Sequence, residues 1–92
     1  MIRVGPGSLK LVISSAQPNA VLAALGARVD AENIRAAVSG ALLVHSALEP
    51  SELRDMLSRE LGKGDSLLVV EFEKWSGYGA GIDREWLRAR GH

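Results

Sequence analysis

Along this chain, hydrophobic and polar residues change period several times, and each change marks an element. LKLVISS (9–15) alternates, with Leu9, Leu11 and Ile13 on one side and Lys10, Val12 and Ser14 on the other, which predicts a strand. In QPNAVLAALGARV, Val21, Leu22 and Leu25 fall on one helical face, Pro18 sits where a first-turn proline is tolerated, and Gly26 ends or weakens the helix. ALLVHS (41–46) alternates again, placing Leu42, Val44 and Ser46 opposite Leu43 and His45. A second helix follows, with Pro50 at its first position, Glu52 at its third, and Leu48 and Leu53 at hydrophobic-staple spacing. Leu53, Met56, Leu57 and Leu61 form its apolar stripe, and Gly62 stops it.

SLLVVEFEK returns to alternation, with Leu68, Val70 and Phe72 set against Leu67, Val69, Glu71 and Glu73. WSGYGAGI (75–82) reads as a loop of glycines and aromatics. DREWLRAR (83–90) reads as a short helix capped by Asp83, with Ile82 and Leu87 repeating the staple. Two stretches carry less information. Residues 1–8 are a lead-in broken by Gly5, Pro6 and Gly7. Residues 30–39 fit either a helix, by the propensity of Ala and Glu, or a strand turning at Ser39-Gly40 to pair with 41–46.

Strand, helix, strand, strand, helix, strand predicts one α+β domain over residues 1–92: a ferredoxin-like split βαβ sandwich, with an antiparallel sheet and its helices on one face. On this reading Leu9, Leu11, Ile13, Leu42, Val44, Leu68, Val70 and Phe72 fill the core under the two helices. The other face then carries Lys10, Val12, Ser14, Leu43, His45, Leu67, Val69, Glu71 and Glu73. Val12, Leu43, Leu67 and Val69 make that face too aliphatic for solvent. The C-terminal helix with Trp86 would cover it, or a second copy would, and in 92 residues association is expected. Val12, Leu43, Leu67 and Val69 are therefore the expected homodimer surface.

Composition removes several functions. Eleven Lys and Arg balance eleven Asp and Glu, so no overall field favours a polyanion, and nucleic acid is not the favoured partner. The absence of cysteine removes disulfides and thiolate metal sites. No stretch approaches the roughly 20 apolar residues of a membrane span, and no hydrophobic signal segment follows Arg3, so a cytoplasmic location without membrane contact is expected.

The tract VSGALLVHSALEPSELRDML, then GKGDSLLVVE, then Trp75-Ser76-Gly77 and Trp86-Leu87, resembles the small bacterial ferredoxin-like proteins called SinR-like. These are relatives of the CRISPR-associated small endoribonuclease family and of antitoxin ribonucleases. The resemblance covers about residues 36–90. It implies the ferredoxin-like fold and, in nuclease members, an aspartate closing the first strand that helps to hold a divalent cation between two protomers. Here the first strand ends Ser14-Ser15-Ala16, and the first acidic residue is Asp30. A metal-dependent nuclease is not expected, and neither a metal nor another cofactor is assigned.

The remaining chemistry is sparse. His45 suits a general base or a packed strand position, and Ser14, Ser15 and Ser46 lack a visible base with its orienting group. Glu71 and Glu73, two apart, suit a shared cation or a solvated pair. Trp75 and Tyr78 in the glycine loop would stack a ring of a ligand or base, or else cap the core. That loop has no phosphate-binding lysine, and Asp83 would repel an anion there. Trp75, Tyr78, Trp86 and His45 form the candidate binding set. The expected function is a small non-catalytic interaction module, dimeric and with a protein partner. The alternative is a nucleic-acid-binding or degenerate endoribonuclease-like protein of a defence or toxin–antitoxin system.

Overall fold

A computed structural model describes residues 7–38 and 40–92; most of the lead-in, residues 1–6, and Ser39 of the expected turn lie outside the described residues. The elements are β1 (Ser8–Ser14), α1 (Pro18–Gly26), a single 3-10 turn (Ala31–Asn33), β2 (Ile34–Ala36), β3 (Ala41–Ser46), α2 (Pro50–Ser58), β4 (Leu67–Phe72) and α3 (Arg84–Ala89). The strands form one antiparallel sheet in the order β2-β3-β1-β4. Each βαβ half leaves a gap that a strand of the other half fills, which is the ferredoxin-like α+β architecture.

The ambiguous stretch divides between the two readings. Ala31–Asn33 is helical for one turn, and Ile34–Ala36 is extended and pairs with β3. Gly40, at φ +80, completes the hairpin in a conformation that costs glycine little. The helix starts follow their local signals. In α2 the Glu49 amide donates to Glu52 Oε1 at 3.2 Å, which is half of a capping box. In α3 Asp83 Oδ1 accepts the Trp86 amide at 3.0 Å. The α2 helix ends earlier than its apolar stripe suggests, with Arg59 as C-cap and two tighter turns running on to Leu61.

Both sheet faces are covered, and this corrects the expected core. Register places Val12 opposite Leu42 and Val69, and Lys10 opposite Val44 and Glu71. The face under α1 and α2 therefore carries Val12, Leu42, Val44, Leu67 and Val69, packed with Val21, Leu25, Leu53 and Leu57. Leu42 and Val44 lie in this core as expected. Leu9, Leu11, Ile13, Leu68, Val70 and Phe72 do not: they point to the opposite face. There Leu9 and Leu43 pack under Trp86 and Leu87 of α3, with Trp75, Phe72 and Ile82 at the margin. Leu42 and Leu9 could not have shared a face, because Leu42 is paired with Val12, and successive strand residues alternate sides.

Lys10 shows how the helix-covered face tolerates a charge. Its residue is 1% exposed, yet its Nζ donates to the Ser46 carbonyl and, at 2.8 Å, to Ser8 Oγ, and lies 3.5 Å from Glu71 Oε1. The aliphatic stem is buried while the ammonium finds acceptors at the sheet's end.

Candidate interaction surface

Correcting the faces also relocates the apolar surface. Val12 is buried under the helices, Leu67 and Val69 are half-buried against the same core, and Leu43 is buried beneath α3. These four are split between two faces and do not form one open surface. Apart from Leu22 on α1, the exposed aliphatic residues lie on or beside the α3 side of the sheet, where that helix does not cover it. Ile13 is 41% exposed, Leu68 56% and Val70 38%. Cross-strand pairing joins Leu11 to Val70 and Ile13 to Leu68, so they form one contiguous block on β1 and β4. Beside it is a groove of about 310 Å³ between the sheet, the β2–β3 hairpin and the 75–82 loop, with Leu11, Ile13, Val38, Leu43, Trp75 and Ile82 among its walls. Val38 on the groove's rim is also exposed.

The covered half is fixed by polar contacts as well as by packing. Trp86 Nε1 donates to the Glu32 carbonyl at 2.7 Å, while Arg90 donates to Asn33 Oδ1 at 3.0 Å and to the Glu32 carbonyl. The Arg90 guanidinium lies over the Trp86 ring, 4.6 Å from its centre. Arg35 on β2 is 3.5 Å from Asp83 at the start of α3. Past the helix, Gly91 at φ +80 lets its own amide reach the Arg88 carbonyl and the His92 amide reach that of Leu87, as in a Schellman stop. That turn carries His92 back onto β3, where its Nε2 is 2.9 Å from His45 Nδ1. Partial burial, and after it the neighbouring His45, Arg90 and Lys10, hold the His92 imidazole below its ordinary pKa.

The four residues of the candidate binding set are not brought together. Trp86 is buried in the second core cluster, Trp75 is half-buried at its margin, and His45 lies beneath the C-terminal turn. Tyr78 stands 95% exposed in the 75–82 loop. The two residues that sequence reasoning undervalued are Lys10 and His92. The one signal for Lys10 was Glu71 on a neighbouring strand; nothing local marks His92, which meets His45 from 47 positions away.

The remaining polar candidates have structural partners. Ser15 Oγ accepts the Ser66 amide at 2.8 Å and ties the end of β1 to the start of β4, while Ser14 Oγ accepts the Ala16 amide at 2.9 Å and closes a turn. Ser46 Oγ closes a turn in the same way, accepting the Leu48 amide at 3.0 Å. Glu71 accepts from Ser8 Oγ, which with nearby Lys10 holds its carboxyl below the ordinary range against a counter-effect of desolvation. Among the described residues, no group of three or more His, Asp or Glu side chains is placed to hold a metal ion, and no helix is long and apolar enough to cross a membrane. No family model matches the chain, and no curated protein or solved structure matches it significantly.

Proposed function

We propose that this chain is a small, non-catalytic interaction module that binds a protein partner through the open half of its α3-side sheet face. The observation carrying this reading is the contiguous apolar block of Leu11, Ile13, Leu68 and Val70 beside a groove rimmed by Val38. Apolar side chains gathered this way in so small a domain, next to a concave wall, are what a partner's core side chains pack against. The candidate hydroxyls accept backbone amides in local turns or between β1 and β4, and the two histidines contact each other. The position of the carboxylate expected from the family resemblance is filled by Ser14-Ser15-Ala16. Eleven Lys and Arg balance eleven Asp and Glu, so no overall positive field favours a phosphate-bearing partner.

A photo-reactive residue placed at Leu68, compared with one at exposed Lys63, tests this reading in cells. The expected result is a covalent protein adduct of defined mass from position 68 and none from 63. Equal labelling at the two positions would remove the reading. Salt-sensitive retention of single-stranded RNA by the purified protein would replace it with the nucleic-acid alternative.

A further inference from the structure

The partner surface includes more than side chains, because β4 is an edge strand. The amide of Ser15 donates to the Ser66 carbonyl, and that of Ser14 to the Gly40 carbonyl. These two bonds set the phase of both ladders. Odd-numbered residues of β1 exchange hydrogen bonds with β4, and even-numbered ones with β3. In β4 the residues bonded to β1 are therefore Leu68, Val70 and Phe72. The amides and carbonyls of Leu67, Val69 and Glu71 point away from the sheet, and no backbone partner meets them among the described residues. The edge carries no proline and no bulge, and its centre is apolar, so the usual protections of a free edge are missing over most of its length.

We propose that the occupant of this edge is a second copy of the chain, paired β4 to β4, antiparallel, about a two-fold axis through Val70. The inference rests on the interaction reading above and names its partner. Charge selects the register. An axis through Glu71 sets Glu71 against itself, and one through Phe72 sets Glu71 against Glu73. An axis through Val69 opposes Glu73 to Asp65, and one through Leu68 opposes Glu71 to Asp65. Directly opposed like charges destabilise a strand pair. Only the axis through Val70 avoids every such pair within this range. It also aligns the apolar face: Val70 meets its own copy, and Leu68 meets Phe72 of the second copy on each side of the axis. Existing pairs then extend the rows across the dimer as Ile13, Leu68, Phe72 and Leu9, and as Leu11, Val70, Val70 and Leu11. The two four-stranded sheets become one continuous sheet, and the two open blocks merge into one apolar surface.

The chain has no cysteine, so single cysteines read the register directly. In this register the two Val70 residues form a non-hydrogen-bonded pair with Cα atoms about 4.5 Å apart, within disulfide range. Val70→Cys is expected to give a disulfide dimer under mild oxidation, whereas Leu22→Cys on α1 is not. The unmodified protein should sediment as a dimer at roughly 100 µM. Val69→Pro removes an outward amide, together with some packing by the half-buried Val69 side chain, and should give a monomer that is still folded by circular dichroism. Val70→Lys should do the same by charge at an already exposed position. A monomer at that concentration, or a dimer that survives both Val69→Pro and Val70→Lys, overturns the proposal. A monomeric chain whose position 68 still captures a different protein overturns the second copy alone and leaves the interaction reading standing.

Discussion

Leu87→Ala puts the two-sided sheet to a quantitative test. Leu87 is 2% exposed and packs with Leu9, Leu43 and Trp86 as an anchor of a helix only six residues long. Truncating a leucine so enclosed costs about 3 kcal/mol, within a range of about 2–5 set by how far the site collapses. A domain of 92 residues has a total stability of roughly 5–14 kcal/mol, so the loss is a large fraction of the whole. Urea unfolding with a slope of about 2 kcal/mol per molar would show a midpoint lowered by about 1.5 M. Leu22→Ala is the internal control: Leu22 is 39% exposed on α1, and its truncation should cost less than about 1 kcal/mol. Indole emission adds a second readout, because release of α3 without global unfolding would expose Trp86 and shift emission to the red before the circular dichroism changes. If Leu87→Ala unfolds at the same urea concentration as Leu22→Ala, then α3 does not pack on the sheet and the second core cluster is wrong.

Two further predictions probe the chain's ends. Because the folded state holds the His92 imidazole below its ordinary pKa, the unfolded chain binds the proton more readily; stability is then unaffected well above pH 6.5 and falls as pH drops through that value, so a decline between pH 7 and 5 that His92→Gln flattens is expected, and equal slopes would refute it. At the other end, a Cβ on Gly7 would lie 2.6 Å from the Ser46 carbonyl carbon, so Gly7→Ala should lower stability by about 1–3 kcal/mol in urea unfolding, whereas Gly26→Ala, which meets nothing within 4 Å, should raise it by about 0.5–1 kcal/mol.

What the sequence reveals depends on the range of the interaction that fixes each element. Both staples, the Asp83 cap and the strand alternation act within a few residues, and they locate α2, α3 and the strands closely. Face assignment is not local. β3 is buried on both sides from Ala41 to Ser46, so its pattern has no polar side to report, and β1 is apolar at Leu9, Leu11 and Ile13 on the face away from the longer helices. Reading the more apolar side of β1 as the helix-facing side fails because Lys10 buries its stem there and satisfies its ammonium on the Ser46 carbonyl, a backbone group that no residue type announces. The same limit hides the C-terminal contact. Gly91 can be read as a helix stop, but the landing of His92 on His45 is set by where α3 crosses the sheet.

The open apolar block follows from a mismatch of lengths. Six helical residues span about 9 Å, whereas six strand residues span about 20 Å. The α3 helix, six residues from Arg84 to Ala89, therefore covers only one end of the face beneath it, although β4 has the same number of residues. The 75–82 loop closes part of the remainder with Trp75 and Ile82 but leaves the ends of β1 and β4 bare. Had those ends been solvated by design, the uncovered positions would be polar, as Glu71 is on the other face. Instead they are Ile13, Leu68 and Val70, while the covered end of the same face carries the ionisable His45. The polarity is inverted relative to what a monomer in water favours: the apolar residues lie where the chain's own cover runs out. That inversion is confined to one region of the sheet, and the unpaired backbone of β4 lies at its border.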